Sequence, residues 1–74
     1  MNPEITLDVC GLEPPEPLEQ IMEALSELAP DQRLCVLIDR EPYPLYSILA
    51  DRNFIYRPTM RADYRYEILI WRKP

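Results

Sequence analysis

The chain has no histidine, and that absence removes the commonest general base and the commonest transition-metal ligand together. Ser26 and Ser47 therefore have no imidazole to activate them, which argues against a histidine-assisted hydrolase. The two cysteines, Cys10 and Cys35, form no C-x-x-C pair. They are too few for the usual Cys/His zinc set, so no metal site and no cofactor are expected. The single glycine rules out a glycine-rich phosphate loop. No apolar run approaches membrane-spanning length and no secretory signal pattern opens the sequence. A cytoplasmic location and no membrane partner are the expectations, and in that compartment a Cys10–Cys35 disulfide is not expected. Basic charge is also scarce: the net charge is −5, which argues against a nucleic-acid partner.

What is present is proline, nine of them in 74 residues, and a hydrophobic fraction of 47%. That length predicts one small domain over residues 1–74, and that composition suits a folded chain. A core of this size leaves a narrow stability margin, so a protein partner or a homodimer would add useful burial. The charge is uneven. Residues 1–51 hold eleven Asp/Glu against two Arg, and residues 52–74 hold five Arg and one Lys against Asp63 and Glu67. The two halves either neutralise each other within the fold or steer an acidic partner to the C-terminal hairpin.

Ile5, Leu7 and Val9 alternate with Thr6, Asp8 and Cys10, the pattern of a half-buried strand. Gly11 suits a sharp exit from it, since glycine adopts positive φ without steric cost. Pro15 or Pro17 can open a helix, where a missing N–H costs nothing. Leu18, Ile21, Met22, Leu25 and Leu28 then form one apolar stripe, with Ala29-Pro30 closing the helix. Leu34 to Ile38 reads as a second strand, parallel to the first in a βαβ unit. Leu45, Ile48 and Leu49 predict a short second helix from about Pro44 to about Arg52, with Asn53 at its exit. Phe54 to Arg57 is a third strand, which Pro58 either ends or confines to a sheet edge. Arg61-Ala62-Asp63 is a hairpin turn, and Tyr64 to Trp71 is the last strand. Tyr64, Tyr66, Ile68 and Ile70 share one of its faces. The order is β-α-β-α-β-β.

Leu7-Asp8, Gly11-Leu12, Pro15 and Pro17 stand in register with the pattern Leu-Asp-x-x-Gly-Leu-x-Cys-Pro-x-Pro. That pattern, followed by an amphipathic helix, marks the TusA-like (SirA-like) sulfur-carrier family, which the chain resembles over nearly its whole length. Pro14 stands where that family has its sulfur-carrying cysteine. The run Gly11-Leu12-Glu13-Pro14-Pro15-Glu16-Pro17-Leu18 looks more like an uncharacterised sister family of the same fold, as does Asp39-Arg40-Glu41-Pro42-Tyr43-Pro44-Leu45-Tyr46. The resemblance implies an α/β (α+β) two-layer sandwich, with two helices on one face of a four-stranded mixed sheet. The last strand would lie centrally, and Leu34, Val36, Phe54 and Tyr56 would join its inner face beneath the helices. The other face would present Cys35, Leu37, Ile55, Leu69 and Trp71. An apolar patch there is a candidate interface, centred on Leu37, Ile55, Leu69 and Trp71, and a homodimer through Trp71 and Leu69 is one form of it. Arginine stems from Arg57 and Arg65 lying across the patch are the alternative.

Three readings of function follow. The sulfur-carrier role does not transfer to Pro14, and Cys10 is the one thiol near enough to replace it in a sulfur relay, since a helix N-terminus stabilises a thiolate. The alternative is an ordinary free cysteine at a strand end, and Cys35 reads as a small mid-strand hydrophobe. Glu13, Glu16 and Asp39 offer paired carboxylates for proton transfer, or simply solvated capping groups. The leading reading is a non-catalytic small adaptor or ligand-binding module. Its two proline-stiffened loops emerge at the same end of the sheet, where open α/β sheets place ligands. Glu13, Pro14, Pro15, Glu16 and Pro17 come from one loop, and Arg40, Tyr43 and Tyr46 from the other. Arg40 and the helix start would there accept an anionic group, with the tyrosines adding contact area.

Overall fold

The computed structural model describes residues 4–74. Six elements follow the order expected: β1 (Glu4–Asp8), α1 (Glu16–Ser26), β2 (Arg33–Ile38), α2 (Tyr43–Asp51), β3 (Phe54–Met60) and β4 (Tyr66–Arg72). They form a two-layer sandwich, with a four-stranded mixed sheet ordered β1-β2-β4-β3. β1 runs parallel to β2, and β4 pairs antiparallel with both β2 and β3. The central place of β4 brings the two most apolar strands together, so Leu34, Val36, Ile68 and Ile70 are fully buried.

α1 starts as a proline-opened helix should. Pro15 is the N-cap residue and makes no side-chain cap, while Pro17 sits in the first turn beside Glu16 and Glu19. Those carboxylates lie where the helix dipole favours them. Ile21 and Leu25 are buried on the sheet. The helix closes at Ser26, earlier than the proline at position 30 requires. Leu28 is buried all the same, beyond the helix. Its carbonyl accepts two hydrogen bonds from Arg72, from Nε at 3.3 Å and Nη2 at 3.0 Å. The same guanidinium lies 5.1 Å from the Phe54 ring centroid. α2 opens one residue sooner than its apolar spacing suggests, with Pro42 as N-cap residue and Pro44 in the first turn, and it buries Leu45 and Leu49. Asn53 takes the left-handed conformation expected of it, with φ 63°.

The last hairpin departs from the sequence reading. β3 runs through Pro58 to Met60, because it is an edge strand and an edge tolerates a missing ladder donor. Tyr64 does not belong to the inner face of the last strand. It has φ 66° and is 77% exposed. Tyr64 N–H donates to the Arg61 carbonyl at 3.0 Å, and Arg61 N–H donates to the Arg65 carbonyl at 2.7 Å. Tyr64 thus occupies the left-handed position of a longer hairpin loop, where glycine is customary. Asp63 holds that loop together. Its carboxylate accepts from Arg65 N–H at 3.2 Å and lies 3.5 Å from Arg61 Nε.

The helix-free face of the sheet is apolar at its centre. Cys35 is buried there, and Leu37, Ile55, Leu69 and Trp71 are half-buried. The guanidinium stacked on Trp71 belongs to Arg33, 5.1 Å from the ring centroid, rather than to Arg57 or Arg65. Arg65 is drawn instead to Asp63.

Candidate functional site

β1 and β2 are parallel neighbours, so the chain leaves both at the same end of the sheet. The Val9 N–H donates to the Leu37 carbonyl at 2.9 Å, carrying the ladder one step past β1. The chain then turns away at Gly11, whose φ is 80°. Gly11 N–H donates to Asp39 Oδ2 at 2.6 Å, across 28 residues of sequence. That bond ties the loop before α1 to the loop before α2.

Between the two tied loops lies a groove of about 520 Å³. Its floor is core: Val9, Ile21, Ile38 and Leu45, all buried. Its walls are proline, with Pro14, Pro15 and Pro17 on one side and Pro42 and Pro44 on the other. Proline walls hold their shape because φ is fixed in each residue. The rim carries charge: Glu13, Asp39 and Glu41 against Arg40. Carboxylates therefore outnumber the one guanidinium, and the mouth favours a cation over an anion.

Of the residues expected at a ligand site, Glu13, Pro14, Pro15, Pro17 and Arg40 line this groove. Glu16 lies outside it, exposed, with its N–H on the Glu13 carbonyl at 3.0 Å. Tyr43 is 68% exposed and meets Tyr46 edge-on at 6.0 Å, away from the groove lining. Tyr46 turns inward and stacks on Tyr56 at 4.6 Å and 2°. Its hydroxyl donates to Glu41 Oε2 at 2.9 Å. Burial and the Glu41 carboxylate both push the Tyr46 hydroxyl pKa upward. Tyr46 is thus a support that orients a rim carboxylate. Sequence reasoning did not assign to the site the floor residues Val9, Ile21, Ile38 and Leu45, nor Glu41, Pro42 and Pro44, although the last three stand inside the proline-stiffened loop.

The chemistry available in the groove is limited. Its lining contains no serine, threonine, cysteine, lysine or tyrosine. Glu13 and Asp39 both reach the rim, as the paired-carboxylate reading expected, but both are exposed. No charged residue is buried among the described residues, so the groove offers no desolvated carboxylate pair. Cys10 lies outside the lining. Burial, with the carboxylates of Asp8 and Asp39 facing it, pushes its thiol pKa up to about 11. The Cys35 thiol, in contact with Glu67 Oε1 at 3.1 Å, is pushed up to about 12 by burial and that carboxylate. No group of His, Cys, Asp or Glu among the described residues is arranged to hold a metal ion. No helix among them is long and apolar enough to cross a membrane.

Comparison with protein families matches residues 6–72 to a family described as "Uncharacterized conserved protein (DUF2249)". Comparison with curated proteins and with solved structures returns no match.

Proposed function

We propose, for a chain that belongs to the uncharacterised conserved family DUF2249, the role of a non-catalytic small adaptor. In this reading it binds a segment of a protein partner in the groove between its two proline loops. The carrying observation is the groove itself: a buried apolar floor, proline walls and an acid-rich rim closed by the Gly11–Asp39 bond. Rigid walls spare a ligand the ordering cost that a flexible loop would impose. An apolar side chain would sit on Ile21, Ile38 and Leu45, and an adjacent lysine or arginine would meet Glu13, Asp39 and Glu41. The anionic ligand suggested by Arg40 alone fits less well, because three carboxylates share its rim.

The test is a titration of the ¹⁵N-labelled full chain with two short peptides sharing one leucine-and-phenylalanine core. One peptide carries flanking arginines and the other flanking glutamates. The expected result is shift changes at Gly11, Leu12 and Asp39, larger for the arginine peptide and reduced in Glu13→Gln/Glu41→Gln. Equal weak shifts spread over the surface with both peptides would overturn the reading.

The second reading is a sulfur relay through a Cys10 persulfide. The resemblance of the α1 entry to the TusA-like carriers supports it. The surroundings of Cys10 oppose it, since sulfur transfer needs a thiolate, and burial together with two carboxylates disfavours one. Intact mass after incubation with a sulfur donor separates the two. A one-sulfur gain lost only in Cys10→Ser would favour the relay.

A further inference from the structure

The helix-free face of the sheet carries a charge pattern that selects a partner and an orientation. Along β1 it presents Glu4 and Asp8 on either side of Thr6, and along β3 it presents Arg57. Between these margins lie the apolar residues of β2 and β4, with Leu69 directly beside Cys35 in the register. One margin of the face is thus acidic and the other carries an arginine, while the middle is apolar around Cys35, Leu37, Leu69 and Trp71, with Arg33 and Glu67 at its two ends.

We infer that this face is the interface of a two-fold homodimer in which the sheets stack with β1 of each copy over β3 of the other. The sheet order makes this closure natural. β2 and β4 are the central pair, so a two-fold axis parallel to the strands and between them lays β1-β2-β4-β3 over its own reverse. Arg57 of the second copy then falls over Thr6, with Glu4 and Asp8 flanking it, and symmetry repeats the arrangement at the other margin. Leu69 of the second copy falls over Cys35. The other two-fold, perpendicular to the strands, would place β1 over β1 and β3 over β3. That stacks acid on acid and arginine on arginine, which like-charge repulsion disfavours. Charge alone therefore distinguishes the two packings.

Stacked sheets lie ~10 Å apart, within reach of an arginine stem crossing from one margin to the other. The groove at the end of the sheet stays open in such a dimer, because Ile38 and Leu45 face the helical layer. This interface and the peptide groove therefore succeed or fail independently.

The experiment is sedimentation of the full chain over a micromolar concentration series, with three variants. Wild type should show a reversible monomer–dimer equilibrium that weakens as salt rises. Leu69→Lys should weaken it tenfold or more, while circular dichroism shows the fold retained. Arg57→Glu should weaken it too, and the charge exchange Glu4→Arg/Arg57→Glu should restore it. A wild type that stays monomeric throughout the series would overturn the proposal. So would a dimer indifferent to Leu69→Lys, which would lie on another face. A charge exchange that fails to rescue Arg57→Glu would overturn the orientation.

Discussion

Gly11 and Asp39, 28 residues apart, are joined by one hydrogen bond from backbone N–H to carboxylate at 2.6 Å. It ties together the two loops that frame the groove. Asp39→Ala should remove it at a cost of roughly 1–2 kcal/mol, as expected for a hydrogen bond to a charged group that solvent partly replaces. Hydrogen exchange at the Gly11 amide should accelerate strongly, while amides of β2 and β4 keep their protection. Asp39→Asn, which retains an acceptor oxygen, should fall between the two.

Gly11 itself gives a prediction with a different cause. A methyl group added at this position meets nothing within 4 Å, so space does not forbid a side chain. The backbone does, because φ is 80°. Gly11→Ala should therefore cost roughly 1–2 kcal/mol through strain alone. Gly11→Asn should cost less, since asparagine tolerates the left-handed region. Thermal melts of both variants beside wild type check this. Equal losses for the two would mean that packing sets the cost.

The thiol of Cys10 titrates late, and the direction has consequences for reactivity and for stability. Its pKa is raised to about 11 from an ordinary value near 9. Alkylation at Cys10 should thus keep rising with pH well past 9, with its midpoint near 11, measured by mass spectrometry in Cys35→Ser. The unfolded chain loses its thiol proton first, so above pH 9 the native state binds more protons than the unfolded state. The stability contributed by this group is whole below pH 9 and drains away as pH rises toward 11. Cys35, raised to about 12, adds to the loss over a similar window. Cys10→Ser/Cys35→Ser should accordingly show a shallower alkaline fall in melting temperature.

Arg72 closes the far end of the sandwich through its two bonds to Leu28 and its contact with the Phe54 ring. Arg72→Met keeps an apolar stem and loses the donors, and should lower stability by about 1–2 kcal/mol. For a chain of this length that is a drop of roughly 4–8 °C in Tm per kcal/mol. Arg72→Lys should recover only part of it, because an ammonium cannot reproduce the planar fork.

Arg72 also marks where sequence reading ran out. The order of elements along the chain, the apolar stripe of α1 and the meeting of two proline loops at one sheet end followed from periodicity and parallel βαβ geometry, while the central place of the last strand came with the family resemblance. The first three are each a repeated signal spread over many residues. The use of Arg72 rests on one side chain folding back 44 residues to an orphan carbonyl, and no local pattern encodes that. Tyr64 failed for a related reason. Alternation placed it on the inner face beside Tyr66, but the choice between strand and left-handed turn was made by Asp63 and the Arg61–Arg65 closure. Within the groove, the loops were legible from their prolines. The inward turn of Tyr46 was not, because it depends on Tyr56 arriving from an edge strand and on Glu41 accepting its hydroxyl.

Trp71, the sole tryptophan, lies half-buried on the uncovered side of the sheet under Arg33, at the end opposite the proline loops. The chain therefore carries an intrinsic optical reporter that watches one surface and is blind to the other. Emission will move to shorter wavelength if that side is dried, and will stay still when something enters between the loops. Two events of binding on one small protein can in this way be told apart without attaching a dye.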